Sequence, residues 1–232
     1  EQLVEAQRGL DVLGVGQAKT VQVGVTVTLE DGWKTYWRTP GESGLAPVFD
    51  WAGSSNFRSA SIRWPAPSRF VSFDIDNFGY ENEVTFPIDV TPEKTGQPLE
   101  LRLKLDLLIC NKLCIPETHR LPLTIPAGEA KVAPGQAALA EALQKIPDTN
   151  DEKTFSVQSI ALEEGDNKKI TLNVNARSAE PFSKGADMFV EHPSFTNIGK
   201  PVFSYDAATQ KLFLKAPVRS EDNLETLKKT LS

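Results

Sequence analysis

The chain has 232 residues, a net charge of −6, 40% hydrophobic and 24% charged residues, ordinary values for a soluble globular protein of one or two domains. The acidic balance argues against nucleic acid or an anionic membrane surface as the main partner, and no apolar run approaches the ~18 residues that span a bilayer. No signal peptide is visible, and the chain opens at Glu1 with its single methionine at Met188, which suggests a processed or trimmed chain.

The first half reads as strands. Val21, Val23, Val25, Val27 and Leu29 alternate with Gln22, Gly24, Thr26 and Thr28, a period of two that sets one face on a core. Asp31-Gly32 marks a turn before a short aromatic strand, Trp33 to Arg38. The following stretch, with Pro40, Gly41, Gly44 and Pro47, holds too many breakers for a helix. Ile62 to Trp64 and Val84 to Val90 are further strand candidates, and Pro65, Pro67 and Pro87 are expected at edges or strand ends. Leu99, Leu101, Leu103, Leu105 and Leu107 then alternate with charged residues, as do His119, Leu121, Leu123 and Ile125 after a short break, so the two runs predict a hairpin.

Pro126-Ala127-Gly128 ends this region, and Pro134-Gly135 precedes helical spacing at Ala138, Leu139, Ala142, Leu143 and Ile146, stopped by Pro147. Strand patterns return at Val157 to Leu162 and Ile170 to Val174, joined by the turn Glu164-Gly165-Asp166-Asn167. Met188 to Val190, Pro201 to Tyr205 and Leu212 to Ala216 are shorter candidates. Ser220 is a candidate helix N-cap, with Glu221 and Asp222 in the first turn and Lys228-Lys229 near the end. The whole reads as mainly β: an antiparallel β-sandwich over residues 1–126, a connector with one short helix over 127–153, and a second, smaller β-sandwich-like unit over 154–232.

The only two cysteines, Cys110 and Cys114, fall at the tip of the predicted hairpin. A bridge closing a loop of ~5 residues removes only about 2 kcal/mol of unfolded-chain entropy, against ~3 for 15 residues. The pair is therefore poorly placed as a staple, and a redox-active pair, a structural disulfide and half a metal site all remain open. A tip gives a thiolate access to a partner. Nothing suggests a thioredoxin fold, so a helix dipole does not control reactivity. Cys110 continues the leucine-rich strand and is expected to be the less exposed sulfur, whereas Cys114 lies beyond the polar Asn111-Lys112.

Cys114-Ile115-Pro116-Glu117-Thr118, with Cys110 upstream and Leu121-Pro122-Leu123 downstream, resembles the N-terminal periplasmic domain of the DsbD disulfide reductases. The aromatic strand Asp31 to Arg38, the segment Asp76-Asn77-Phe78-Gly79-Tyr80 and the strand Val84 to Val90 are similar to the same family. Thr39 to Leu45, Ile62-Arg63-Trp64-Pro65, Gly79-Tyr80-Glu81 and Ala186 to Glu191 look more like its ScsB branch. The resemblance covers most of residues 20–125, and the cysteine spacing is shorter than in the best-known members. It implies an immunoglobulin-like fold and a thiol–disulfide oxidoreductase without a cofactor. A thioredoxin-like domain would donate electrons, and periplasmic thioredoxin-fold isomerases or reductases would receive them; membrane attachment would come only through domains outside this sequence. It also implies that Cys114 forms the mixed disulfides, and that Asp76 to Tyr80 caps the pair with Phe78 as covering ring; the other reading of Phe78 and Tyr80 is that they anchor the following strand to the core. Gly79 would let that cap loop hinge, and Tyr36 belongs to the same surround.

Other classes are open. A periplasmic binding or adaptor module could carry the pair as a structural disulfide. His119 could join the cysteines in a copper or zinc site, with His192 far along the chain. Trp33, Tyr36, Trp37, Trp51 and Trp64 could form a carbohydrate platform or fill a core. Glu81, Glu83, Asp74 and Asp76 could be paired carboxylates or a solvated acidic loop.

Overall fold

The structure, a computed structural model, describes residues 4–10, 15–72, 75–128, 136–148, 154–191, 196–220 and 222–230. The expectations for Asp74, Pro134, Gly135, His192 and Glu221 fall outside the described residues. The chain divides into two compact units, one of Glu1–Pro40, Gly44–Ser68 and Phe78–Pro147, the other of Gly41–Ser43, Arg69–Asn77 and Asp148–Ser232.

The first half contributes β1 (Val4–Leu10), β2 (Val21–Leu29), β3 (Lys34–Gly41), β4 (Val48–Asp50), β5 (Phe57–Ile62), β6 (Ser68–Ser72), β7 (Ile75–Glu81), β8 (Glu83–Pro92), β9 (Leu99–Cys110) and β10 (Cys114–Ile125), followed by helix α1 (Gln136–Gln144). In the first unit, one antiparallel sheet runs β1-β2-β8-β5 and another carries the order β10-β9-β3-β7, with β4 also on β9. The two sheets form an immunoglobulin-like sandwich. Their inner faces follow the predicted alternation: Val21, Val23, Val25 and Val27 of β2, Val84, Phe86, Ile88 and Val90 of β8, and every odd-numbered residue of β9 from Leu99 to Ile109 are buried. Phe86 joins the layers, meeting Phe49 of β4 at 5.6 Å and Tyr80 of β7 at 5.5 Å, both edge to face.

Pro87 corrects a sequence expectation. It sits mid-strand in β8, between β2 and β5, rather than at an edge or strand end. The sheet tolerates it because β5 ends at Ile62, opposite Ile88; the next rung is a single bond, in which Arg63 N–H donates to the Pro87 carbonyl at 2.8 Å. The missing N–H thus falls where the ladder has closed.

The second unit is built on β11 (Phe155–Glu164), a 3-10 turn (Asp166–Lys168), β12 (Ile170–Ser178), β13 (Asn197–Ile198), β14 (Val202–Asp206), β15 (Lys211–Arg219) and helix α2 (Leu224–Thr230). Its sheet runs β11-β12-β15-β13, with β14 also on β15. Leu172, Val174, Ala176, Leu212, Leu214 and Ala216 face a small core that also takes Leu227 of α2, so among the described residues this layer is a sheet backed by a helix. Met188 and Val190 pack there too, but as irregular chain, not the strand their apolar pattern suggests. Arg69 binds both carboxylate oxygens of Asp187, at 2.8 and 3.0 Å, lies 3.3 Å from Asp76 and donates to the Ile198 carbonyl. The α2 cap is also corrected. Asn223 Oδ1 accepts the Thr226 N–H at 3.0 Å, whereas Ser220 Oγ takes the Asp222 N–H outside the helix.

Candidate redox site

β9 and β10 pair over twelve residues, and their register sets Cys110 directly opposite Cys114. Only Asn111, Lys112 and Leu113 lie between the strands, closed by Asn111 N–H donating to the Leu113 carbonyl at 3.0 Å. A directly opposed pair brings both Cβ atoms within bridging reach, and the two sulfurs are bonded as a disulfide. The two cysteines differ sharply in access. Cys110 is 5% exposed, whereas Cys114 and all three tip residues are exposed.

Strand alternation decides what surrounds Cys110. The odd residues of β9 face the sandwich core, so Cys110 points to the outer face of its sheet. Lys34 of β3 is its strand partner and shares that face, as does Tyr36 two residues on. Tyr36 Oη donates a hydrogen bond to Cys110 Sγ at 3.0 Å. Burial pushes the Tyr36 phenol above its ordinary value, so it keeps its proton at neutral pH and serves as a donor. Lys34 Nζ forms an ion pair with Glu81 of β7 at 3.1 Å on the same side. Thr35, facing inward, donates from its hydroxyl to the Leu108 carbonyl at 3.2 Å and ties β3 to the end of β9.

The cap segment is not the loop that was expected. Asp76, Asn77, Phe78, Gly79 and Tyr80 do not form a loop; they are the body of β7. Phe78 and Tyr80, two apart on the strand, share one of its faces by alternation, and Glu81 takes the other beside Lys34. Phe78 is 3% exposed, and Tyr80 packs on Phe86 and donates to the Pro65 carbonyl at 2.9 Å. Cys114 remains exposed. Gly79 is no hinge either: a Cβ there would collide with the Thr35 carbonyl, so the glycine allows β7 to lie against β3. Asp76 is engaged with Arg69.

The remaining candidates separate. His119 pairs with Leu105 on the inward side of β10, opposite in alternation to both cysteines, so the three do not form a Cys2His set. Of the aromatics, Tyr36 lies on Cys110, Trp37 is buried, Trp64 packs edge to face on Phe49 and Phe86, and Trp51 stacks on Phe57. Glu81 is paired with Lys34, and Glu83 accepts from Thr28 Oγ1 at 3.2 Å. Sequence reading missed Gly44, whose backbone lies against the Tyr36 ring. The sequence signals were a glycine in a breaker-rich loop and its place in the ScsB-like stretch Thr39 to Leu45.

Residues 2–126 match the family described as "Thiol:disulfide interchange protein DsbD, N-terminal". No curated protein matches the chain at a significant level. Among solved structures, the chain is similar to the N-terminal periplasmic domain of ScsB from Proteus mirabilis, with 25% identity, a TM-score of 0.62, and coverage of 94% of this chain and 80% of that one. An opposed cysteine pair at a hairpin tip of an immunoglobulin-like sandwich accords with both matches, and the chain belongs to the DsbD N-terminal family of thiol:disulfide interchange modules.

Proposed function

We propose that the chain is a periplasmic thiol–disulfide reductase module that carries two electrons from a thioredoxin-like donor domain to thioredoxin-fold partners through Cys110 and Cys114. The observation that carries this reading is the asymmetry of the pair: an exposed Cys114 bonded to a buried Cys110 whose sulfur already receives the Tyr36 hydroxyl. Disulfide exchange requires attack on one sulfur and departure of the other, and the better leaving group is the thiolate of lower pKa. A donor thiolate attacks Cys114 Sγ, the only sulfur of the two with open access. A new bond forms between donor sulfur and Cys114, the Cys110–Cys114 bond breaks, and its electron pair departs with Cys110 Sγ. The Tyr36 hydroxyl is aimed at that atom and stabilises the charge that develops there.

The donor's second thiolate then attacks its own sulfur in the mixed disulfide and releases Cys114. The donor leaves as a disulfide, and this chain holds a dithiol that has taken up two electrons and two protons. Run in reverse against an oxidised thioredoxin-fold partner, with Cys114 thiolate as nucleophile, the same steps deliver the electrons. The redox chemistry is assigned to the domain within residues 1–126, with 154–232 as an accompanying β-rich domain joined through 127–153. Equilibration in graded glutathione buffers tests the reading. The pair should exchange with a reduction potential above about −300 mV. A potential below that value, with a large loss of thermal stability on reduction, would make the bridge structural and the chain a binding or adaptor module.

A further inference from the structure

Tyr36 is almost fully buried although it projects from the outer face of its sheet, where a side chain ordinarily meets solvent. Its neighbours on that face behave as expected: Lys34 is half-buried and Arg38 exposed. The cover over Tyr36 is therefore local, and Gly44 lies within it. A Cβ at Gly44 would fall onto Cδ1 and Cε1 of the Tyr36 ring and 2.7 Å from the Pro40 Cβ. Gly44 is not among the residues with left-handed backbone, so the need for glycine here is one of space and not of conformation.

The hydrogen bond from Tyr36 to Cys110 also needs this cover. A disulfide sulfur is a weak acceptor, and a free phenol would turn to water instead. The ring must be held by packing for its hydroxyl to rest on Cys110 Sγ at 3.0 Å. We propose that Gly44 is a positioning residue for the redox pair: having no side chain, it lets the loop after β3 close on the Tyr36 ring and fix the phenol on Cys110 before exchange begins. The proposal rests on the reading of the pair as an exchanging disulfide. When attack on Cys114 sends the bonding electrons to Cys110, the weak acceptor becomes a thiolate, a strong one, and the donor is already in place. The loop therefore acts on the rate of bond opening more than on the resting disulfide.

The test uses 2-mercaptoethanol as attacking thiol and measures the second-order rate of opening in the wild-type chain, Gly44→Ala, Tyr36→Phe and the double variant. Loss of the phenolic donor should slow opening about tenfold. Gly44→Ala should slow it to a similar extent, and the double variant should be no slower than either single one, since both changes remove one interaction. A Gly44→Ala rate within about twofold of wild type would overturn the proposal, as would multiplied losses in the double variant, which mark independent effects. If Gly44→Ala does not fold, adding Tyr36→Ser, which removes the ring, should restore folding. Failure to restore it would place the conflict elsewhere and also overturn the proposal. A wild-type disulfide that 2-mercaptoethanol does not open would instead refute the redox reading itself.

Discussion

Two long hairpins, β9–β10 in the first unit and β11–β12 in the second, grow from the same alternating pattern but differ at flank and tip. Every odd residue of β9 is buried in a two-sheet core, whereas β11 is the terminal strand of its sheet and leaves Val157 and Ile160 exposed. The β9–β10 tip is three residues long and sets two cysteines face to face; the β11–β12 tip is a 3-10 turn in which Asn167 and Lys168 take left-handed backbone, closed by Gly165 N–H on the Lys169 carbonyl at 2.9 Å. Alternation alone thus builds a hairpin and gives it no chemistry. What sets the first tip apart is a buried flank that holds one cysteine and a neighbouring strand that aims a hydroxyl at it.

The largest effect is expected at the flank. Phe78→Ala should cost about 3–5 kcal/mol, because it empties a buried position on β7. Chemical unfolding measures that cost, and alkylation of the reduced pair by a bulky reagent should not speed up under conditions where the variant stays folded. Faster alkylation with unchanged stability would restore Phe78 as a cap. Next in size, Leu105→Ala on β9 should cost about 2–5 kcal/mol, whereas Ile160→Ala on β11, a residue 59% exposed, should stay within about 0.5 kcal/mol. Equal costs would mean that the two hairpins are held alike. The smallest contrast lies in two glycines. Gly79→Ala drives a methyl into the Thr35 carbonyl and should cost about 1–3 kcal/mol. Gly165→Ala, at φ −98° with 3.8 Å to the nearest carbonyl, should be neutral or stabilise by about 0.4–1 kcal/mol.

Much of this was legible before any coordinates. The leucine alternation of β9, the valines of β2 and the helix around Ala138 to Leu143 emerged as their periodicities predict, because each buries one continuous face. The expected burial of Cys110 and exposure of Cys114 follow from the same parity, one cysteine ending a core strand and the other beginning an edge strand. What the pattern could not give was position across strands. Asp76 to Tyr80 carries Gly, Asn and Asp, residues typical of loops, yet its partner strand and Arg69 hold it extended. Pro87 looked like an edge marker because local reading cannot know where the neighbouring strand stops. The contact of Gly44 was hidden for the same reason, since it lies with a ring eight residues earlier in the chain.

Trapping with single-cysteine variants tests whether Cys114 is the attacked and attacking sulfur while Cys110 leaves beneath Tyr36. Each variant is incubated with a periplasmic extract, and mixed disulfides are counted by mass spectrometry. Cys110→Ser, which keeps the exposed sulfur and removes the resolving one, should accumulate complexes with thioredoxin-fold proteins through Cys114, and Cys114→Ser should yield few. Equal yields, or a larger yield from Cys114→Ser, would contradict it.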